Sequence, residues 1–185
     1  SSLTQQQFQA SDMFRDSVHR WNSRDEIAGR AGGIRYSLHR VRALGRERNA
    51  VVFDGVVIRL EFSSNFPGHT VIVPDGDPQP AGTRVKKDLA MLKSPAFEER
   101  FSVFATDYYE ARRLLSPVVM QSIQSAADTF DGALRMAFVA RSAFIAVRSD
   151  GLQVAAPLFG APLTPDGAVG SVIRMVNFAE TLAEG

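Results

Sequence analysis

The chain has 185 residues, 45% of them hydrophobic and 22% charged, with a net charge of +1. Such a length and balance suit one globular domain with a proper core, and they exclude a disordered chain and any global attraction to nucleic acid. Cysteine is absent, which removes disulfides, zinc–thiolate sites, iron–sulfur clusters and cysteine nucleophiles together.

The opening stretch from Leu3 to Trp21 reads as a helix, because Phe8, Met13, Phe14, Val18 and Trp21 recur on roughly one face. It predicts a helical arm over residues 1–24, ahead of a single domain over 25–185. The "GRAGG" stretch, Gly29 to Gly33, then breaks the pattern. Ile34, Tyr36 and Leu38 alternate with Arg35, Ser37 and His39, the period of a half-buried strand. After the polar turn "RALGRERN", a second strand runs through "VVFDGVVIRLEF", where Gly55 marks a bulge or a close backbone approach. "NFPGHT" is a turn, "VIVP" a short buried strand, and "DGDPQPAGT" an exposed loop.

Ser94 followed by Pro95 predicts one capped helical turn, and "FSVFAT" predicts a strand that feeds directly into a helix. That helix opens as a capping box: Asp107 accepts from first-turn amides and Glu110 reaches back to the cap. Ser116-Pro117 kinks it or caps a second segment reaching Ala127. Leu134 to Ala140 and Ala143 to Arg148 form a late hairpin, followed by the proline-rich "APLFGAPLTPDG" and a C-terminal helix with Val169, Val172, Ile173 and Val176 on one face. Strands adjoin turns more often than helices, so the fold class is α+β with a mainly antiparallel sheet.

Several chemistries lack their residues. His19, His39 and His69 never share a helix face at metal-ligand spacing, and "DGDP" lacks the length and terminal glutamate of a calcium loop. "GRAGG" has no lysine or hydroxyl to cradle a phosphate, and no Gly-x-Ser-x-Gly elbow occurs. No cofactor is called for. Asp107, Glu110 and Arg112 could serve as an acid/base cluster, but their spacing is explained by helix capping. The second candidate is a run of positive charge at Arg35, Arg40, Arg42, Arg46 and Arg48, opposed locally only by Glu47. It suits a phosphate, an anionic headgroup or an acidic partner, or else it is a solvated face paired with acids elsewhere.

Two segments, "VFDGVVIRLEFSSNFPGHTVIVPD" and "SPAFEERFSVFATDYYEARRLLSPVVMQSI", carry a resemblance. Phe53, Gly55 and Phe62, then Phe66, Gly68, Thr70 and Pro74, then Pro95, Phe97 and Glu98 match it in order. Phe101, Val103, Asp107, Glu110, Ala111, Arg112, Leu115, Pro117 and Met120 complete the pattern. The chain resembles the bacterial domain of unknown function 3137 over most of residues 25–160. The resemblance implies a shared fold with Asp107, Glu110, Arg112 and Pro117 as signature positions, and it brings no catalytic activity. Members of that family usually carry hydrophobic helices ahead of this region. It therefore implies an excised domain at the cytoplasmic face of a bacterial membrane, or a cytoplasmic variant.

The reading drawn from all this is a non-enzymatic, membrane-proximal module that binds a protein partner or an anionic lipid surface, with no nucleic acid. The alternative is a small-molecule or catalytic domain using the Asp107, Glu110 and Arg112 cluster. A third reading makes the opening helix an arm that docks Phe8, Phe14 and Trp21 on a second copy.

Overall fold

In the computed structural model the described residues are 2–78 (apart from 32 and 49), 88–89, 91–130 and 134–148. The expected C-terminal helix and the proline-rich stretch before it lie outside them. Along the chain come α1 (Gln5–Ala10), β1 (Arg20–Ala31), β2 (Ile34–Leu44), β3 (Val51–Glu61), β4 (Thr70–Pro74) and β5 (Asp88–Leu89). They are followed by α2 (Pro95–Glu98), β6 (Phe101–Ala105), α3 (Tyr108–Leu114), α4 (Pro117–Thr129), β7 (Leu134–Val139) and β8 (Ser142–Arg148).

Among the described residues eight strands join one sheet in the order β1-β2-β3-β8-β7-β4-β6-β5, and every pairing there is antiparallel. The mainly antiparallel α+β architecture is as expected, with the sheet dominant. The late hairpin is inserted at its centre, between β3 and β4. Central strands covered on both faces need side chains that are apolar without alternation, and β8 supplies them: Ala143 to Val147 are all apolar and buried. Gly55 is where this insertion becomes tight. A β-carbon there would fall 2.1 Å from the Val147 carbonyl oxygen, so the glycine serves a close backbone approach, and the register shift lies at Ala43/Leu44.

Each face of the sheet has its own core. On one, Leu114, Leu115, Val119, Ile123 and Phe130 from the helical region join Ile58, Leu60, Ile72, Val103, Met136 and Ile145. On the other, Leu3, Phe8, Met13 and Val18 join Phe53, Val57, Val71, Val73, Ala137 and Phe144. The result is three layers, with the N-terminal segment as the third.

That segment corrects the expected helix from Leu3 to Trp21. The helix α1 starts on a Thr4–Gln7 capping box and lasts six residues. Ser11 donates its hydroxyl to the Phe8 carbonyl oxygen at 2.6 Å, and Asp12 turns left-handed at φ 56°, which ends the helix. The chain beyond it turns Met13, Phe14 and Val18 onto the sheet. Trp21 belongs to β1, so the expected boundary at residue 24 falls inside a strand. The aromatic residues expected to serve a neighbouring copy are engaged within this chain. Phe8 lies 5.8 Å from Phe53, Phe14 5.0 Å from Phe53, and Trp21 5.0 Å from Phe8.

Of the two readings left open at Ser116-Pro117, the structure has the cap of a second helix and not the kink of a single one. Leu115 leaves helical geometry at φ −94°, ψ 60°. Ser116 then accepts from the Val119 amide at 3.4 Å, with Pro117 at the first position of α4. Ser94 stands at the start of α2 as expected, yet its side chain makes no capping bond.

Candidate functional site

The arginine run was the first candidate, and β3 divides it. Arg35 faces Glu61 across the β2–β3 ladder and pairs with it at 2.8 Å. Arg40 and Arg42 flank Asp54 at 3.2 and 3.6 Å. These are cross-strand pairs on an exposed surface, worth about 0–1 kcal/mol each. Arg46 and Arg48 stand apart in the β2–β3 turn, where they are exposed and form no ion pair among the described residues. Arg48 is held left-handed at φ 47°. Exposed Arg20 pairs with Leu44 beside this turn, and Val51 just past it is 50% exposed. The cationic feature is thus a short basic and apolar tip rather than a whole hairpin.

The acidic cluster separates in a different way. Asp107 Oδ1 accepts from the Tyr109 and Glu110 amides at 2.9 and 3.1 Å and is otherwise exposed, which makes it the cap of α3. The second half of the expected capping box does not form. Glu110 instead lays its half-buried carboxylate on Gly68, where a β-carbon would sit 2.6 Å from Glu110 Oε2. Burial pushes the Glu110 pKa above its ordinary 4.5; the Gly68 amide opposes the rise, the Asp107 charge adds to it, and Arg113 counters it. Its Oε2 is buried without a hydrogen-bond partner among the described residues. Arg112, two residues on, projects elsewhere on the helix and lies 5.5 Å from the Tyr108 ring centre. Asp107, Glu110 and Arg112 therefore have three separate environments, and the structure does not bring them together in one pocket.

Where Arg112 does point is an open groove of about 400 Å³ between the segment before α2 and the first turns of α4. Leu92, Leu115 and Met120 line it with Lys93, Arg112 and Gln121, and Pro117 lies at its edge. Sequence reasoning missed this groove because Lys93 sits in a connection with no pattern of its own. It also missed Arg135, although a charged residue inside an otherwise buried strand was a readable signal. Arg135 pairs with Asp77, donates to the Met13 carbonyl oxygen at 2.8 Å and lies 4.9 Å from the Phe14 ring centre. Burial lowers its pKa, and the Asp77 charge opposes that shift.

The histidines are dispersed. Buried His39 contacts the Ser37 hydroxyl at 2.8 Å, and His69 contacts the Ser11 carbonyl oxygen at 2.9 Å. Among the described residues no group of three or more His, Asp or Glu could hold a metal ion, and no helix is long and apolar enough to cross a membrane.

The fold has a counterpart among solved structures. The crystal structure of the mycobacterial trehalose monomycolate transport factor A, TtfA, is similar at a TM-score of 0.51 and 15% identity, over 84% of this chain and 70% of that one. At that identity the likeness concerns the fold alone. Among curated proteins, none matches the chain. The family described as "Protein of unknown function (DUF3137)" matches residues 51–183, beginning later and reaching further than the expected span of residues 25–160. Since the match spans well over half of the sequence, the chain belongs to the DUF3137 family.

Proposed function

We propose that this domain is a non-catalytic module working close to a membrane, and that its β2–β3 tip meets anionic lipid headgroups. The observation that carries this reading is the tip itself. Arg46 and Arg48 are exposed and unpaired among the described residues, Arg20 is alongside, and Val51 is exposed at the same end. Basic residues near an anionic surface contribute about 1 kcal/mol each, and an apolar neighbour adds shallow insertion. The capping role of Asp107 accounts for that carboxylate without chemistry. The fold it shares with a protein titled a trehalose monomycolate transport factor gives a lipid setting a precedent.

Liposome flotation tests the reading. The chain is expected to float with vesicles containing phosphatidylserine or phosphatidylglycerol, and to stay down with phosphatidylcholine alone. Arg46→Glu with Arg48→Glu abolishes flotation while leaving the melting temperature unchanged. Equal, negligible binding to both vesicle types, or flotation indifferent to the two substitutions, would end it.

A further inference from the structure

We infer that the groove between Lys93 and Arg112 is a docking site for an acidic, extended segment of a protein partner. This goes beyond the lipid-facing tip and is built from other elements. Its charge is one-sided: Lys93 and Arg112 are its ionisable lining residues, both exposed and neither in an ion pair among the described residues. Among the described residues no acidic side chain lines it. Two unneutralised cations flanking one concavity ask for carboxylates, and the Gln121 amide offers a further donor.

Its walls also contain the apolar surface that a peptide's other side chains need. Leu92, Leu115 and Met120 form the floor, and about 400 Å³ accommodates a few side chains. Among the described residues the exposed large hydrophobics are Val51, Met91, Tyr108, Tyr109 and Val118. None of them lines the groove, but all except Val51 are neighbours of residues that do or contact such neighbours. Met91 adjoins Leu92, and its carbonyl oxygen accepts from the Tyr108 hydroxyl at 2.6 Å. Tyr109 packs edge-on to Tyr108 at 6.1 Å, and Arg112 covers the Tyr108 ring. Val118 sits one turn before Gln121 on the outer side of α4.

Tyrosine, methionine and arginine exposed together are the composition of a protein-binding surface. Lys93 adopts a left-handed conformation at φ 58° beside the groove. Alternating acidic and apolar residues place carboxylates on one side of an extended segment and apolar groups on the other, which matches a groove with a cationic rim and an apolar floor.

The test is fluorescence anisotropy on the full chain with two fluorescein-labelled peptides, one alternating leucine with glutamate and one alternating leucine with lysine. The glutamate peptide is expected to bind and the lysine peptide not. Lys93→Glu and Arg112→Glu should each weaken binding by about tenfold or more, and Val118→Asp should weaken it without touching either cation. All three positions are exposed, so an unchanged thermal melt separates lost binding from lost fold. Equal affinity for both peptides, binding indifferent to the charge reversals, or no binding at all would overturn the proposal. Two further outcomes would do the same. Loss of vesicle flotation in the Lys93→Glu, Arg112→Glu chain, with flotation intact in the Arg46→Glu, Arg48→Glu chain, would make the groove a headgroup site. A dimer in light scattering that these reversals dissociate would make a second copy its occupant.

Discussion

The Glu110 carboxylate rests on the α-carbon of Gly68, at the point where α3 meets the loop leading into β4. A β-carbon at Gly68 would lie 2.6 Å from Glu110 Oε2, 3.0 Å from Asp107 Cβ and 3.1 Å from Thr106 Oγ1. The same junction is stitched by two hydrogen bonds, from the His69 amide to Thr106 Oγ1 at 2.8 Å and from the Thr106 amide to the His69 carbonyl oxygen at 3.0 Å. Two stretches that look independent in the sequence, "FPGHT" and "TDYYE", are one packed unit.

Gly68→Ala should therefore destabilise the domain by about 1–3 kcal/mol, the usual cost of overpacking a tight contact. Glu110→Ala in the same chain should recover part of it, since the clash is with that side chain. Urea denaturation of the two single variants and the double variant measures the coupling. Strict additivity would show that the contact carries no energy.

Glu110 itself should make stability depend on pH. Its pKa is raised by folding, so the native state holds the proton more tightly than the unfolded chain does. The resulting stabilisation is complete below the ordinary value of 4.5 and is lost as pH rises through the folded pKa. Glu110→Gln should remove this dependence, and the variant should gain on the parent as pH climbs above 4.5. Denaturation midpoints of both chains across acidic to neutral pH check it, and parallel curves would contradict it.

Asp107→Ala should cost about 1 kcal/mol, the loss of a helix cap, whereas Asp107→Asn should cost little because the amide oxygen still accepts from Tyr109 and Glu110. Thermal melts of the two variants distinguish a cap from a charge requirement.

Arg135→Met should destabilise by about 2–3 kcal/mol, because it leaves Asp77 without its partner and the Met13 carbonyl oxygen without its donor. The loss should be local. Hydrogen exchange is expected to quicken first over α1 and the segment to Val18, which this arginine fastens to the sheet, and later or not at all in β7 and β8.

Much of the fold was legible because local rules agreed with tertiary ones. Alternation located β2 and β3, the polar break at Arg141 and Ser142 located the hairpin, and side-chain chemistry located the caps at Asp107 and Ser116. β1 was illegible because an edge strand with little to bury needs no apolar period; "RWNSRDEIAGRA" is held by its ladder to β2 and by Tyr36 lying over Gly29. The N-terminal segment misled because Phe8, Phe14, Val18 and Trp21 fall at helical spacing whether or not the backbone is helical, and Asp12 decides the matter. Strand order was beyond periodicity altogether. As for the candidate sites, the arginines were readable but the acids on β3 that neutralise three of them required the register. The groove required Lys93 and Arg112 to be brought together by packing.

The central position of β7 and β8 also governs when the sheet can close. Gly55 pairs with Arg148 and Thr70 with Phe138, so the half containing β1 to β3 and the half containing β4 and β6 share no strand edge until the hairpin arrives between them. A nascent chain that has reached only α4 holds two half-sheets with two open flanks facing each other across a vacant slot. Synthesis at about 5–20 residues per second leaves those flanks exposed for a second or more before residues 134–148 emerge. The β7–β8 hairpin is the keystone, and a ribosome stalled before it would present the cell with unpaired edges ready to recruit a foreign strand.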